Sequence, residues 1–173
     1  DLFTAYVFVE INTMAACALI MIRNSGHTLV AATKYMIMSL LGSGLLLIGI
    51  SMLYSITGQL LMPNIREAVM ALDESGEYAV PLTAVIGLIS VALAIKSALY
   101  PFHSWLPEAY GYSTASSSAI LSSLVSKGYI FLLIKIFYRV IGMDVMVDHK
   151  ITNILFVFGI IGMIMGSVTA IRQ

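Results

Sequence analysis

The sequence predicts an all-α protein, a polytopic bundle of about five membrane-spanning helices with one helix broken near Lys96. Of its 173 residues, 60% are hydrophobic and only 10% are charged, whereas a soluble domain carries about 25% charged residues. The apolar runs approach the roughly 20 residues that cross a bilayer, and they do not alternate as barrel strands do. Nine basic and nine acidic residues balance, so no basic patch favours nucleic acid as a partner.

Five apolar runs carry the fold prediction, each of about the length that a spanning helix needs. They are Leu2–Ile22, Lys34–Ile56, Val80–Tyr100, Thr114–Arg139 and Ile151–Ile171. Small residues that allow close helix packing lie on the second run and on the fifth. They are Ser39, Gly42, Ser43 and Gly44 on the second, and Gly162, Gly166 and Ala170 on the fifth. We expect one transmembrane domain over residues 1–173.

The longest loop, between the second and third runs, contains the segment IREAVMALDES, with Pro63 before it and Gly76 after it. This pattern predicts a short helix that lies on the membrane surface, with Asn64 as its N-cap. Ile65, Val69 and Leu72 would share its apolar face.

Charges in the loops predict the orientation of the chain. Arg23 and Lys34 lie in the first loop without an acidic residue, while the second loop is net acidic through Glu67, Asp73, Glu74 and Glu77. Since Lys and Arg favour the cytoplasmic side, the first loop is predicted inside, the N-terminus outside and Arg172 inside.

Three ionisable residues within the apolar runs are the main indication of function. Glu10 lies in the first run, Lys96 near the end of the third, and Lys127 near the middle of the fourth. A charge at mid-membrane costs about 3 kcal/mol on insertion scales. Side chains that carry such a cost commonly line ion or proton pathways, so the three residues suggest a buried relay.

Lys127 is the central candidate, because it lies too deep to reach either surface. Serines repeat every four residues on the same helix, at Ser118, Ser122 and Ser126, and Ser123 precedes Lys127 by one turn. We expect Lys127 to face the bundle interior, with its cavity on the side of Lys96. Lys135 is expected to reach the outer interface instead.

Pro101 predicts the break beyond Lys96, because proline lacks an N–H and disrupts the preceding turn. A discontinuous helix frees carbonyl groups beside a polar cavity. Glu10 is expected to pair with Lys96 and offset its desolvation. His103 is either a proton-handling residue near the inner mouth or a hydrogen-bonded structural histidine. Trp105 suits a membrane interface.

One segment resembles the central signature of the antiporter-like subunits of respiratory complex I. The segment is KSALYPFHSWLPEAYGYSTASSSAILSSLVSKGYIFLLIK. The same family includes the Mrp-type multisubunit Na+/H+ antiporters and the membrane-bound hydrogenases. Its members carry K-S-x-x-x-P-F-H-x-W-L-P-x-A, which begins here at Lys96, and a following helix with a second lysine, here Lys127. FVE in the first run resembles the glutamate that partners the first lysine, which gives Glu10.

The resemblance implies that the five runs are helices five to nine of about fourteen. It also implies a broken seventh helix and a hydrated lysine–glutamate relay for proton translocation. Some members have a histidine where this sequence has Leu121, so water and serines would serve that step here. The sequence is expected to be a piece of a longer subunit, because it opens inside a helix without an initiator Met.

The residues and the resemblance together predict a subunit that translocates protons, or exchanges Na+ for H+. Its expected setting is a multisubunit complex in a bacterial or archaeal cytoplasmic membrane. Its expected partners are other membrane subunits and the lipid bilayer. Whether it is an enzyme subunit stays open; no redox centre, cofactor or metal is expected. The alternative is a non-pumping scaffold with structural ion pairs; an intramembrane hydrolase lacks any nucleophile–base pattern.

Overall fold

The structure, a computed structural model, describes residues 1–76 and 78–172. Glu77 and Gln173, and the side chain of Arg172, lie outside that description. Within it, five helices are long and apolar enough to cross a membrane. The all-α bundle predicted from the sequence is confirmed.

Eight helices follow one another along the described chain. Their bounds are α1 Leu2–Met21, α2 Gly26–Thr57, α3 Met62–Ser75, α4 Ala79–Lys96, α5 Leu106–Tyr112, α6 Ala115–Ile141, α7 Met143–Asp148 and α8 Ile151–Arg172. A 3₁₀ turn, Phe102–Trp105, precedes α5. The spanning helices are α1, α2, α4, α6 and α8, so each of the five predicted runs corresponds to one of them.

Helix α2 begins eight residues before the predicted start at Lys34. Ser25 caps it: its hydroxyl accepts from the Thr28 N–H, while the Thr28 hydroxyl accepts from the Ser25 N–H. At the other end, Gly58 takes the left-handed conformation and closes the helix. The prediction placed the start at a charged residue, but the capping box lies further upstream and begins the helix there.

Helix α4 ends at Lys96, four residues before the predicted end at Tyr100. Ala98 has a left-handed backbone, with φ +57°. The Leu99 N–H donates to Ala94 O at 2.9 Å and the Ala98 N–H to Ile95 O at 3.3 Å. This is the Schellman pattern that terminates a helix, here with alanine at the position where glycine is usual. The predicted break near Lys96 is confirmed.

The indole of Trp105 packs against the end of α4 at the break. Trp105 is 3% exposed, and its Nε1–H donates to the Ile95 carbonyl at 3.2 Å. Its ring packs against Tyr35 of α2, with centroids 5.0 Å apart. Trp105 is thus buried among the helices, because the Ile95 carbonyl, which also accepts from the Ala98 N–H, offers the indole N–H a buried acceptor.

Helix α3 lies over the end of α6, with Ile65 and Val69 fully buried. It begins at Met62, not after Asn64: Leu61 occupies the N-cap, and Asn64 donates instead to the Gln59 side chain. Pro63 fits the first turn because a helix leaves that N–H unpaired anyway. Arg66 donates to the Tyr138 carbonyl near the end of α6, which ties the two helices together.

Helices α2 and α4 form the closest packing in the core. A Cβ on Gly49 would lie 2.8 Å from Ile89 Cγ1, and one on Gly42 would lie 3.1 Å from both Ala92 O and Lys96 Cγ. Gly42 belongs to the predicted small-residue seam on α2 and Gly49 lies one to two turns beyond it; at both positions an added Cβ would be crowded by α4. On α8, a Cβ on Gly162 would lie 3.0 Å from Tyr100 Cβ, while one on Gly166 would meet nothing within 4 Å.

Candidate functional site

The candidate site is built where α4 ends against α1, α2 and α6. Lys96 is the last residue of α4, and its side chain has no exposed surface. The C-terminal end of a helix favours a positive charge, because the last carbonyl dipoles point toward it. A buried ammonium also needs a counter-charge and hydrogen-bond acceptors, and helix α1 supplies both.

Glu10 of α1 is the counter-charge. Its Oε1 lies 3.5 Å from Lys96 Nζ, and its side chain is 28% exposed. The same oxygen accepts a hydrogen bond from the hydroxyl of Ser43 on α2. The structure therefore brings Glu10 and Lys96 together as an ion pair at the break in α4.

Thr13, one turn after Glu10 on α1, is the nearest acceptor for the ammonium. Lys96 Nζ donates to Thr13 Oγ1 at 2.9 Å, a shorter contact than that to Glu10. Thr13 Oγ1 also lies 3.2 Å from the hydroxyl of Tyr129 on α6. The ring of Tyr129 lies under Lys96, with its centroid 5.6 Å from Nζ, which adds a cation–π contact.

Tyr35 of α2 lies beside this cluster. It is fully buried, and its hydroxyl has no partner with hydrogen-bond geometry among the described residues. It is near Ser39, Thr13 and Tyr129, so the hydroxyl points toward the same polar centre. Such a group is commonly satisfied by buried water.

Lys127 lies on the other side of α6. Its side chain is exposed, and Nζ donates to the carbonyl of Ser122 at 3.2 Å. Tyr129 is two residues away, about 200° around a helix, and it is Tyr129 that points at Lys96. The predictions that Lys127 faces the interior of these helices, and that its cavity lies on the side of Lys96, are therefore wrong for this chain.

The buried row of α6 lies one residue before the predicted serine row in the sequence. It consists of Ser117, Leu121, Val125, Tyr129 and Leu133, all buried. A π-helical segment, Leu121–Val125, lies within this row; the sequence carried no signal for it. The serines at 118, 122 and 126 lie beside the row and are half-buried. Ser126 contacts the hydroxyl of Tyr110 at 2.7 Å.

His103 does not join the ion pair. It lies on the 3₁₀ turn, is exposed, and stacks on Tyr100 with centroids 5.6 Å apart. Its ring makes no hydrogen bond to another described residue. Glu108, five residues after His103, forms an ion pair with Lys34 at 2.5 Å. Of the four predicted site residues, the structure brings together Glu10 and Lys96, while Lys127 and His103 lie apart.

Thr13, although it lies one turn from Glu10, accepts its hydrogen bond from Lys96. Ser43 is among the small residues predicted to pack, and Tyr129 is not among the predicted site residues. The sequence does not single out Ser43, because serine is one of the small residues usual where membrane helices pack. Nothing in the local sequence marked Tyr129.

Comparison with known proteins gives consistent results. The transmembrane family model of NADH:quinone oxidoreductase/Mrp antiporter matches residues 1–173. The chain is 34% identical over its whole length to NADH-quinone oxidoreductase subunit N of Desulforudis audaxviator. It is 29% identical, over 94% of its length, to a Na(+)/H(+) antiporter protein of Bacillus subtilis. It spans 33% of the length of each relative.

Among solved structures, the chain is similar to one in the membrane-bound sulfane sulfur reductase, an archaeal respiratory membrane complex. That match has a TM-score of 0.77 and 26% identity, and it covers 91% of this chain and 31% of the other. Together with the five apolar helices, these similarities identify an integral membrane protein.

Proposed function

The chain belongs to the NADH:quinone oxidoreductase/Mrp antiporter transmembrane family, and from this premise we propose that it carries cations across the membrane. The proposed cargo is protons, with exchange of Na+ for H+ as the variant. The chain would be part of a longer subunit, since the relatives are about three times its length. It would work with other membrane subunits in a bacterial or archaeal cytoplasmic membrane.

The observation that carries the proposal is the buried pair of Lys96 and Glu10 at a helix end. The ammonium has no exposed surface, while the carboxylate is partly exposed. A buried pair that served stability alone gains little over apolar packing, because desolvation offsets the attraction. A pair that opens and closes can instead take up a proton on one side and release it on another.

We propose that opening of this pair passes a proton from Lys96 toward Lys127. The two lysines lie on different sides of α6, so the transfer goes around that helix. At about 100° per residue, Ser126 lies between the directions of Tyr129 and Lys127. The half-buried serines, with water, supply a polar surface along this route. Helices from the rest of the longer subunit would cover the exposed face of Lys127.

The test compares two ion pairs in the full-length subunit within its native complex. Lys96→Met and Glu10→Gln should lower proton uptake into sealed vesicles by about 100-fold or more, the usual contribution of an acid–base group. Lys34→Met and Glu108→Gln remove the surface pair and serve as matched controls, expected to keep uptake near normal. Sodium flux measured in parallel separates the two cargoes.

Two results would contradict the proposal. Normal uptake in an assembled Lys96→Met complex would leave the scaffold as the better interpretation. Equal loss in the surface-pair variants would show that the assay reports general damage rather than the buried pair.

A further inference from the structure

The buried ion pair is flanked by a hydroxyl on each side, and this arrangement carries a further inference that rests on the proposed function. We propose that Thr13 and Ser43 are positioning residues that keep Glu10 and Lys96 as a loose, separable pair. Thr13 holds the ammonium and Ser43 holds the carboxylate. Each hydroxyl therefore competes with direct contact between the two charges.

The hydrogen bonds of Thr13 have a determined direction. Its hydroxyl has one proton and two lone pairs. It lies 2.9 Å from the carbonyl of Val9, which can only accept, so the proton goes there. The two lone pairs remain for Lys96 Nζ at 2.9 Å and the Tyr129 hydroxyl at 3.2 Å. Thr13 is thus saturated and fixed as an acceptor that points at the ammonium.

Ser43 differs from several other hydroxyl residues of this bundle in the acceptor of its hydrogen bond. Ser90, Ser97 and Thr57 each donate to the carbonyl four residues earlier on their own helix. Ser43, at 3% exposure, is about as buried as Ser90 and Ser97, but it donates to Glu10 Oε1 across to α1. That oxygen is the one 3.5 Å from Lys96 Nζ. Ser43 therefore donates to the carboxylate of Glu10 and not to a carbonyl of its own helix.

The neighbouring glycine leaves room for the lysine stem. Gly42 precedes Ser43, and the stem of Lys96 lies where a side chain at Gly42 would be. The dipeptide thus affects both members of the pair: Gly42 leaves space for the Lys96 stem, and Ser43 donates a hydrogen bond to Glu10. Because each charge retains a hydroxyl partner when the pair separates, neither is left unpaired in the core.

The test uses the full-length subunit in its native complex, reconstituted in liposomes. Proton uptake is driven by a potassium diffusion potential and followed with a pH-sensitive dye. Thr13→Val and Ser43→Ala should each lower the initial rate by about tenfold, the equivalent of a hydrogen bond to a charged group. Thr13→Ser keeps the acceptor, and Ser90→Ala removes a buried hydroxyl distant from the charges; both should stay within about twofold.

A second readout separates positioning from packing. Thr13→Val and Ser43→Ala should displace the pH profile of uptake, whereas Ser90→Ala should not. The titratable groups around the pair are Tyr6 on α1, Tyr35 on α2 and Tyr129 on α6; all are retained in these variants. If Thr13→Val does not assemble, Ser43→Ala carries the test alone.

The outcomes distinguish this inference from the function on which it rests. Normal rates and an unchanged pH profile in Thr13→Val and Ser43→Ala, with Lys96→Met inactive, would overturn the inference and leave the proposed function intact. Loss in Thr13→Ser as large as in Thr13→Val would also overturn it. Normal transport by Lys96→Met would overturn both the inference and the proposed function.

Discussion

Lys96 illustrates how a bundle of apolar helices accommodates a charge. Its ammonium shares its protons between a carboxylate at 3.5 Å and a hydroxyl at 2.9 Å, above an aromatic ring. No single contact is an ideal ion pair. The end of α4 adds the field of its aligned carbonyl dipoles. The charge is thus stabilised by several moderate interactions. If one of them is lost, the others still stabilise the ammonium.

Lys127 is predicted to carry protons in the full-length subunit, of which this chain spans about a third by comparison with its relatives. In the full-length subunit, Lys127→Met should lower proton uptake by about 100-fold, since the group would exchange a proton. Lys127→Arg should lower it nearly as much, because arginine holds its proton. Vesicle uptake measured beside Lys96→Met provides the comparison.

Lys135 offers the matched control for Lys127. It lies eight residues further along α6, is likewise exposed, and lines a concave surface with Arg66 and Arg139. Since its side chain can reach the interface, Lys135→Met should retain uptake. Equal inactivation of the two variants would assign the loss to the surface charge of α6 rather than to Lys127.

The sequence predicted the partners of Lys96 better than the direction of Lys127, and the reason is geometric. Glu10 and Lys96 are the charges that α1 and α4 each place within the apolar core, so desolvation alone brings them together. On α6, a row of serines and a row containing Tyr129 both repeat every four residues. Periodicity could not decide which row faces inward; the contacts of Tyr129 with α1 decided it.

At the scale of the element, α2 is the helix against which the site is assembled. It packs on α1 and on α4, and it contributes Tyr35, Gly42 and Ser43 to the polar centre. Helix α4 stops beside it at a left-handed Ala98, and α1 brings Glu10 and Thr13 one turn apart. A displacement between α2 and α4 would therefore alter the pair directly.

Gly42→Ala tests this contact. A Cβ there would lie 3.1 Å from Lys96 Cγ and from Ala92 O, and overpacking of this kind costs about 1–3 kcal/mol. We expect a lower thermal midpoint in detergent and a reduced rate of uptake. Gly44→Ala, on the same helix with nothing within 4 Å, is the control and should be neutral or slightly stabilising. A normal midpoint and rate in Gly42→Ala would contradict the close packing.

Helix ends were harder to predict than helix cores. Apolar length located all five spans, because the bilayer sets that length. The ends depend instead on single backbone choices, such as the Ser25 cap and left-handed Ala98, that hydropathy does not register. Asn64 failed as a cap because Pro63 already suits the first turn of α3.

Across the whole molecule, the spanning helices differ in how much of their surface the other helices cover. Helix α4 is the most enclosed span, while the spanning window of α8 has no buried residue within the described chain. The exposed face of α6 and the length of α8 are the surfaces that further helices of a longer subunit would cover.

Orientation is the whole-molecule prediction. In a Cys17→Ala background, Asn24→Cys should react with an impermeant maleimide only from inside and Ser75→Cys only from outside. Both positions are exposed and Cys17 is buried. The labelling is measured on intact cells and on inverted vesicles. The reverse pattern would invert the orientation of every helix.

The length of α2 has an electrical consequence. Its 32 residues extend about 48 Å, and Ser43 lies roughly 26 Å from the start, near the middle. A proton that reaches the pair from either surface therefore crosses about half of the membrane potential. At about 2.3 kcal/mol per charge per 100 mV for the full potential, that is roughly 1.2 kcal/mol. Transport through this pair is expected to respond to voltage as well as to the pH difference.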